Sequence, residues 1–166
     1  MTENVKIEHI DYSIHTRSID IFTIGCNGDC KGCCNPEIKD WGKDGMDIGH
    51  CIDKVIELDK CFNKLVDRIF IVGGDPVDAF YKNKQDIKLL INSLRIYVDK
   101  PIYLFTRYEL GEIPEELKNI VDYIKTGAYI PELATEDNIQ YGIKLATSNQ
   151  RIYKHDWKKV WSVEND

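Results

Sequence analysis

Arg68-Ile-Phe-Ile-Val72 is a nearly continuous apolar run that stops at Gly73-Gly74-Asp75-Pro76. A strand of that kind is buried on both faces, which points to a parallel sheet covered by other elements rather than to a half-wet antiparallel one. Ser18-Ile-Asp-Ile-Phe-Thr-Ile24 reads as a second strand, ended by Gly25, and Pro101 to Thr106 as a third. Val121 to Thr126 reads as a fourth, closed by Gly127, while Val5–Tyr12 and Arg151–Lys154 carry weaker strand patterns. Between the strands, Asp47 is placed to cap a helix with Ile48, Ile52, Val55, Ile56 and Phe62 along one face. Lys84 to Tyr97 carries a helical stripe of Ile87, Leu90, Ile91, Leu94 and Val98, and Pro114 opens a short helix reaching about Asn119. Asn35-Pro36 through Trp41–Gly45 reads as loop, and the pattern weakens after Pro131.

Strands alternating with helices imply an α/β fold with a parallel sheet and right-handed crossovers. Such sheets bind ligands at the carboxyl ends of their strands. The segments that follow the predicted strands are the loop after Gly25, Gly73–Pro76, Thr106–Tyr108 and Thr126–Ala128, so parallel pairing gathers all four at one rim. The 166 residues suit a single domain, 1–166, with a real hydrophobic core. A net charge of −6 argues against general nucleic-acid binding, which rests on neutralising phosphates. With no leader pattern and no apolar run near about twenty residues, neither secretion nor a membrane is expected, and the cytoplasm is the expected location.

Six cysteines in a reducing compartment call for metal or catalysis rather than disulfides. Cys51 and Cys61 stand alone in a helical pattern and read as small buried apolar residues. Cys26-Asn-Gly-Asp-Cys30-Lys-Gly-Cys33 is different: three thiols at a three-then-two spacing in one loop. A closed zinc site wants four ligands, usually in paired hooks. An iron–sulfur cluster takes thiolates and tolerates another kind of ligand on one iron. Three thiolates therefore suggest a cluster with an iron open to a substrate. The alternative is a zinc-stabilised binding module, its site completed by Cys34, His50 or a distant thiol. Adjacent Cys33 and Cys34 rarely bind one ion, because successive side chains diverge. His9, His15, His50 and His155 have no ligand-like spacing. Arg151 to Trp161 mixes Lys154, Lys158 and Lys159 with Tyr153, Trp157 and Trp161; it reads as an amphipathic terminal segment or a docking element for a protein partner.

The cysteine spacing resembles the signature of radical S-adenosylmethionine (SAM) enzymes. Extended to Gly25-Cys-Asn-Gly-Asp-Cys-Lys-Gly-Cys-Cys-Asn-Pro-Glu37 with Trp41, it resembles the anaerobic ribonucleotide reductase activating proteins. Gly73-Gly74-Asp75-Pro76 is similar to that family's SAM-binding Gly-Gly-Asp-Pro. The likeness continues through Val121–Glu132 and Thr147–Tyr153. The resemblance implies a partial (β/α) barrel of the radical SAM type with an open side, a cluster loop at 25–36 and a C-terminal extension from about 132 to 166. It implies a [4Fe-4S] cluster on Cys26, Cys30 and Cys33, with SAM chelating the fourth iron. Gly32, Cys34, Gly73, Gly74, Asp75 and Thr106 would contact SAM. Reductive cleavage of SAM would give a 5′-deoxyadenosyl radical that takes hydrogen from a glycine of the large subunit of anaerobic ribonucleotide reductase. The electron would come from a flavodoxin-type donor. Another glycyl-radical enzyme or a peptide is the alternative substrate. The chain departs from the family at Cys34, at Ser13–Ser18 in place of a Gly-Pro-Gly-like turn, and at Thr106-Arg-Tyr108 where relatives commonly show Thr-Gly-Tyr.

Overall fold

A computed structural model of the chain describes residues 3–33, 35–156 and 161–164. In chain order its elements are β1 (Ile7–Ser13), β2 (Ser18–Thr23), α1 (Ile48–Phe62), β3 (Arg68–Gly73), α2 (Pro76–Lys82), α3 (Lys84–Tyr97), β4 (Ile102–Phe105) and α4 (Glu115–Lys118). β5 (Tyr123–Thr126), β6 (Ile139–Gln140), β7 (Ile143–Lys144), β8 (Arg151–His155) and β9 (Trp161–Val163) complete them. Among the described residues, seven strands form one sheet in the order β1-β2-β3-β4-β5-β8-β9. β2 to β5 are parallel neighbours taken in sequence order.

Both flanks depart from the expected parallel sheet. β1 runs antiparallel to β2, β8 to β5, and β9 to β8. On the β1 side the reason is length: Ile14–Arg17 is a short turn, and a parallel pair needs a crossover of a dozen residues or more. The sheet is thus mixed, with a parallel centre.

The alternation of the central strands separates two cores. Ile19, Ile21, Ile69, Ile71, Ile102, Leu104 and Ile124 are fully buried on the face that meets Val55 of α1 and Ile87, Leu90, Ile91 and Leu94 of α3. Phe70, Tyr103 and Ile152 form a second cluster with Ile143 and Leu145, at the antiparallel β6–β7 pair. Tyr103 and Tyr123 stack there at 4.0 Å between ring centroids. The α3 stripe lies where the periodicity predicts it, and Asp47 caps α1 by accepting from the His50 backbone N–H at 2.8 Å.

Cys51 is buried as expected, but Cys61 is exposed. Ten helical steps separate the two, which rotates Cys61 off the buried face of α1. α2 has no counterpart in the sequence analysis, where Gly73–Pro76 marks the end of a strand. Cys34, Trp157, Lys158 and Lys159 lie outside the described residues. Among the described residues, no helix is long and apolar enough to cross a membrane.

Asp20 on β2 stands opposite Asp11 on β1 and accepts from Ser18 Oγ at 2.6 Å. Burial pushes its pKa up to about 6; the Ser18 bond opposes the shift, and the nearby Asp11 charge adds to it. The folded state therefore binds more protons than the unfolded chain between about pH 4 and pH 6, and stability falls as pH rises through that window. Asp20→Asn should flatten the profile and raise Tm at pH 7. Thermal melts at pH 4.5 and pH 7 check this; a lower Tm for the variant at pH 7 would contradict it.

Candidate functional site

Gly25 ends the β2 segment with φ +102°, and Cys26 follows at once. The Gly25 N–H donates to Ile38 O at 2.7 Å and the Cys26 N–H to Lys39 O at 3.2 Å, both within a 3-10 turn at Pro36–Lys39. On its other side Gly25 O accepts from the Asp75 N–H at 2.9 Å. A Cβ on Gly25 would stand 2.1 Å from the Trp41 ring, so the indole lies against the glycine. Trp41 Nε1 donates to Asn27 Oδ1 at 2.9 Å. The entrance to the cysteine loop is thus clamped between a turn, an aromatic ring and the segment after β3.

Beyond that clamp the three thiols face one cavity of about 250 Å³. Cys26, Cys30 and Cys33 line it together with Gly73, Gly74, Asp75, Thr106 and Gly127. All four segments expected at the carboxyl ends of strands therefore meet there. Gly32 is not in the wall. It adopts φ +73°, and a Cβ on it would come within 3.0 Å of Tyr129, whose ring does line the cavity.

The glycine pair has a cause inside the chain itself. Gly73 adopts φ +111°, and a Cβ there would sit 2.3 Å from Thr23 N. On Gly74 it would sit 2.2 Å from Gly25 O. The vacant Cβ positions are filled by the end of β2 and by Gly25, so the glycines are required for the close approach of two strand ends.

Asp75 is almost fully buried, and its carboxyl takes donors from two segments. It caps α2 through the Val77 N–H at 2.9 Å, and it receives Thr106 Oγ1 at 2.8 Å and the Arg107 N–H at 3.1 Å. Burial raises its pKa, against these bonds. Arg107 is paired within the chain. Its Nη2 lies 3.0 Å from Asp78 Oδ2 and its Nε 3.8 Å from Asp75 Oδ2. Asp78 also accepts from Tyr108 OH at 2.6 Å and from the Asn27 N–H at 2.8 Å. Burial works against the charge on Arg107, but the Asp78 carboxylate and the Cys26 sulfur together hold the guanidinium above its ordinary pKa. The buried Asp78 was missed by sequence reasoning. The signal was present, because Asp75-Pro76 is a cap followed by a proline at the first helical position, which puts Asp78 in the first turn.

Cys26 Sγ and carboxylate oxygens of Asp75 and Asp78 all lie within 4.8 Å of one another. With Arg107 already their counter-ion, these carboxylates do not form a vacant cation site. Burial raises the Cys26 pKa, the Gly28 N–H at 3.2 Å from Sγ lowers it, and Arg107 lowers it further against the two aspartates. Three thiols in one half-buried wall, one of them already receiving a backbone N–H, fit a group that binds through thiolates.

The family model described as "4Fe-4S single cluster domain" matches residues 16–153, a span that takes in the whole cavity wall. An anaerobic ribonucleoside-triphosphate reductase-activating protein of Haemophilus influenzae is 28% identical over 144 residues, covering 81% of this chain and 85% of that protein.

Gly73→Ala should destabilise the fold by about 2 kcal/mol or more, combining a left-handed backbone penalty with overpacking against β2. Urea denaturation measures it; a midpoint equal to that of the parent chain would refute the packing argument.

Proposed function

The chain belongs to the 4Fe-4S single cluster domain family, and from that premise we propose that it is a radical SAM activase acting on the large subunit of anaerobic ribonucleotide reductase. The observation that carries the proposal is the meeting of Cys26, Cys30 and Cys33 with Gly73–Asp75 in one cavity at the carboxyl ends of β2 and β3. The name of the Haemophilus influenzae relative supports the choice of partner. Parallel strands in sequence order support a single domain built as a partial (β/α) barrel of the radical SAM type. A flavodoxin-type electron donor and a cytoplasmic location complete the proposal.

Cys26, Cys30 and Cys33 would hold a [4Fe-4S] cluster, with SAM on its remaining iron. When bound, the two would supply one-electron chemistry able to remove a hydrogen atom from the partner's glycine. The chain's own residues orient and exclude. Gly73 and Gly74 bring β3 against β2, so that the segment after β3 forms one wall beside the thiols. The Asp75 carboxyl is committed to Val77, Thr106 and Arg107, so it shapes that wall from behind. A backbone carbonyl of the segment is then the better acceptor for the ammonium of SAM. Thr106 acts through Asp75, Gly32 sets Tyr129 against the rim, and Cys34, outside the described residues, would contact SAM rather than bind iron.

Anaerobic reconstitution should give a brown protein with about four irons per chain. With reductant and SAM it should release 5′-deoxyadenosine, and added reductase should acquire a glycyl radical visible by electron paramagnetic resonance. Cys26→Ala, Cys30→Ala and Cys33→Ala should each lower SAM cleavage at least a hundredfold, roughly 3 kcal/mol of lost transition-state stabilisation, while Cys34→Ala should keep the cluster. A fully loaded protein that leaves SAM intact would sink the mechanism. Cleavage without a radical on the reductase would sink the partner alone.

A further inference from the structure

Arg107 Nε is a buried donor with no hydrogen-bond partner, although Nη2 of the same guanidinium donates to Asp78 Oδ2 at 3.0 Å and to Tyr108 OH at 3.1 Å. It faces the cysteine loop across Gly28. The point where a Gly28 Cβ would stand lies 2.4 Å from Arg107 Nε and 3.2 Å from Cys26 Sγ. The same sulfur sits within 4.8 Å of the Asp75 and Asp78 carboxylates that hold the arginine. One thiol thus shares a small, partly dry space with two aspartates and a single guanidinium.

We propose that Arg107 is a positioning residue for the Cys26 ligand, giving its Nε–H to the thiolate and favouring the reduced form of the bound cluster. The inference rests on the functional reading above. The thiolate supplies the hydrogen bond that Nε lacks, since Asp75 Oδ2 stands off at 3.8 Å, and hydrogen bonds to ligand sulfur are a lever by which a protein sets cluster potential. The electron comes from an external low-potential donor; Arg107 loses no proton, and no covalent bond to it forms or breaks. Reduction adds one negative charge beside Cys26. Asp75 and Asp78 oppose that charge and Arg107 offsets them, in surroundings where screening is weak. The arginine has a further function in packing, since with Tyr108 OH and the Asn27 N–H it compensates the buried Asp78 carboxylate.

The test is a mediated redox titration of the reconstituted full-length protein, read by the electron paramagnetic resonance signal of the reduced cluster. Arg107→Gln should lower the reduced-to-oxidised ratio at fixed potential about tenfold, a midpoint about 59 mV more negative for a one-electron couple. Arg107→Lys, which keeps the charge, should bring the midpoint most of the way back to that of the parent. Asp78→Asn should move the midpoint the other way, to more positive values. A purely structural role for Arg107 would not give shifts of opposite sign. Equal midpoints for parent and Arg107→Gln at equal iron content overturn the inference alone, as do shifts of the same sign in Arg107→Gln and Asp78→Asn. If Arg107→Gln does not fold, Asp78→Asn decides by itself, and an unmoved or lowered midpoint refutes the inference. A parent protein that takes up no iron overturns the functional reading and the inference together.

Discussion

One buried carboxyl group, that of Asp75, holds the site in register. A carboxyl taken out of water is costly unless its oxygens are bonded, and here they are bonded by Val77, Thr106 and Arg107. Those donors belong to the start of α2 and to the segment after β4. The backbone N–H of the same residue reaches Gly25 O, at the mouth of the cysteine loop. The ends of β2, β3 and β4 are thereby joined through one residue. The cavity wall follows from that junction: shift Asp75, and the thiols, the glycine pair and Thr106 lose their common frame.

The central sheet was legible because its chemistry is local. Ile69, Ile71, Ile102 and Leu104 sit in short apolar runs, and the runs say strand without help from elsewhere. The α3 stripe was legible for the same reason. α2 was hidden because its seven residues hold too few turns to display a period, and a glycine pair beside a proline suggests a turn first. β6, β7 and β9 are two or three residues long and rest on contacts with β8 and the aromatic face, which no window of sequence contains. The thiols were visible through their spacing, whereas the pairing of Arg107 with Asp78 joins residues from different elements and left no mark in either neighbourhood. Gly73 and Gly74 were legible as necessary glycines but not for their cause, since that cause is the backbone of β2.

The sheet separates two environments that bear on the site differently. Its helix-covered face is aliphatic and closed, built from Ile, Leu and Val against α1 and α3. Its other face is aromatic, with Phe70, Tyr103 and Tyr123 meeting the small β6–β7 pair. Phe105 and Val72 continue that aromatic face into the cavity wall. The thiols therefore look across the aromatic side of the sheet, and the aliphatic core behind it holds the strand ends steady.

The segment that leaves the cysteine loop returns to the N-terminal strand. Ile7 and Met46 exchange backbone hydrogen bonds at 2.8 and 2.9 Å, and Lys43 pairs with Glu8 at 2.9 Å. Together with the Gly25–Ile38 bond, this return fixes both ends of the loop to β1 and β2 by contacts that involve no thiol. The entropy of drawing the chain into a ring is met by the fold, leaving only the short arc from Cys26 to Cys33 for a metal to order. In small metal-nucleated domains the ion decides whether the polypeptide folds. Here the loop's anchors are backbone hydrogen bonds and an ion pair of the polypeptide itself, and they lie outside the thiol arc.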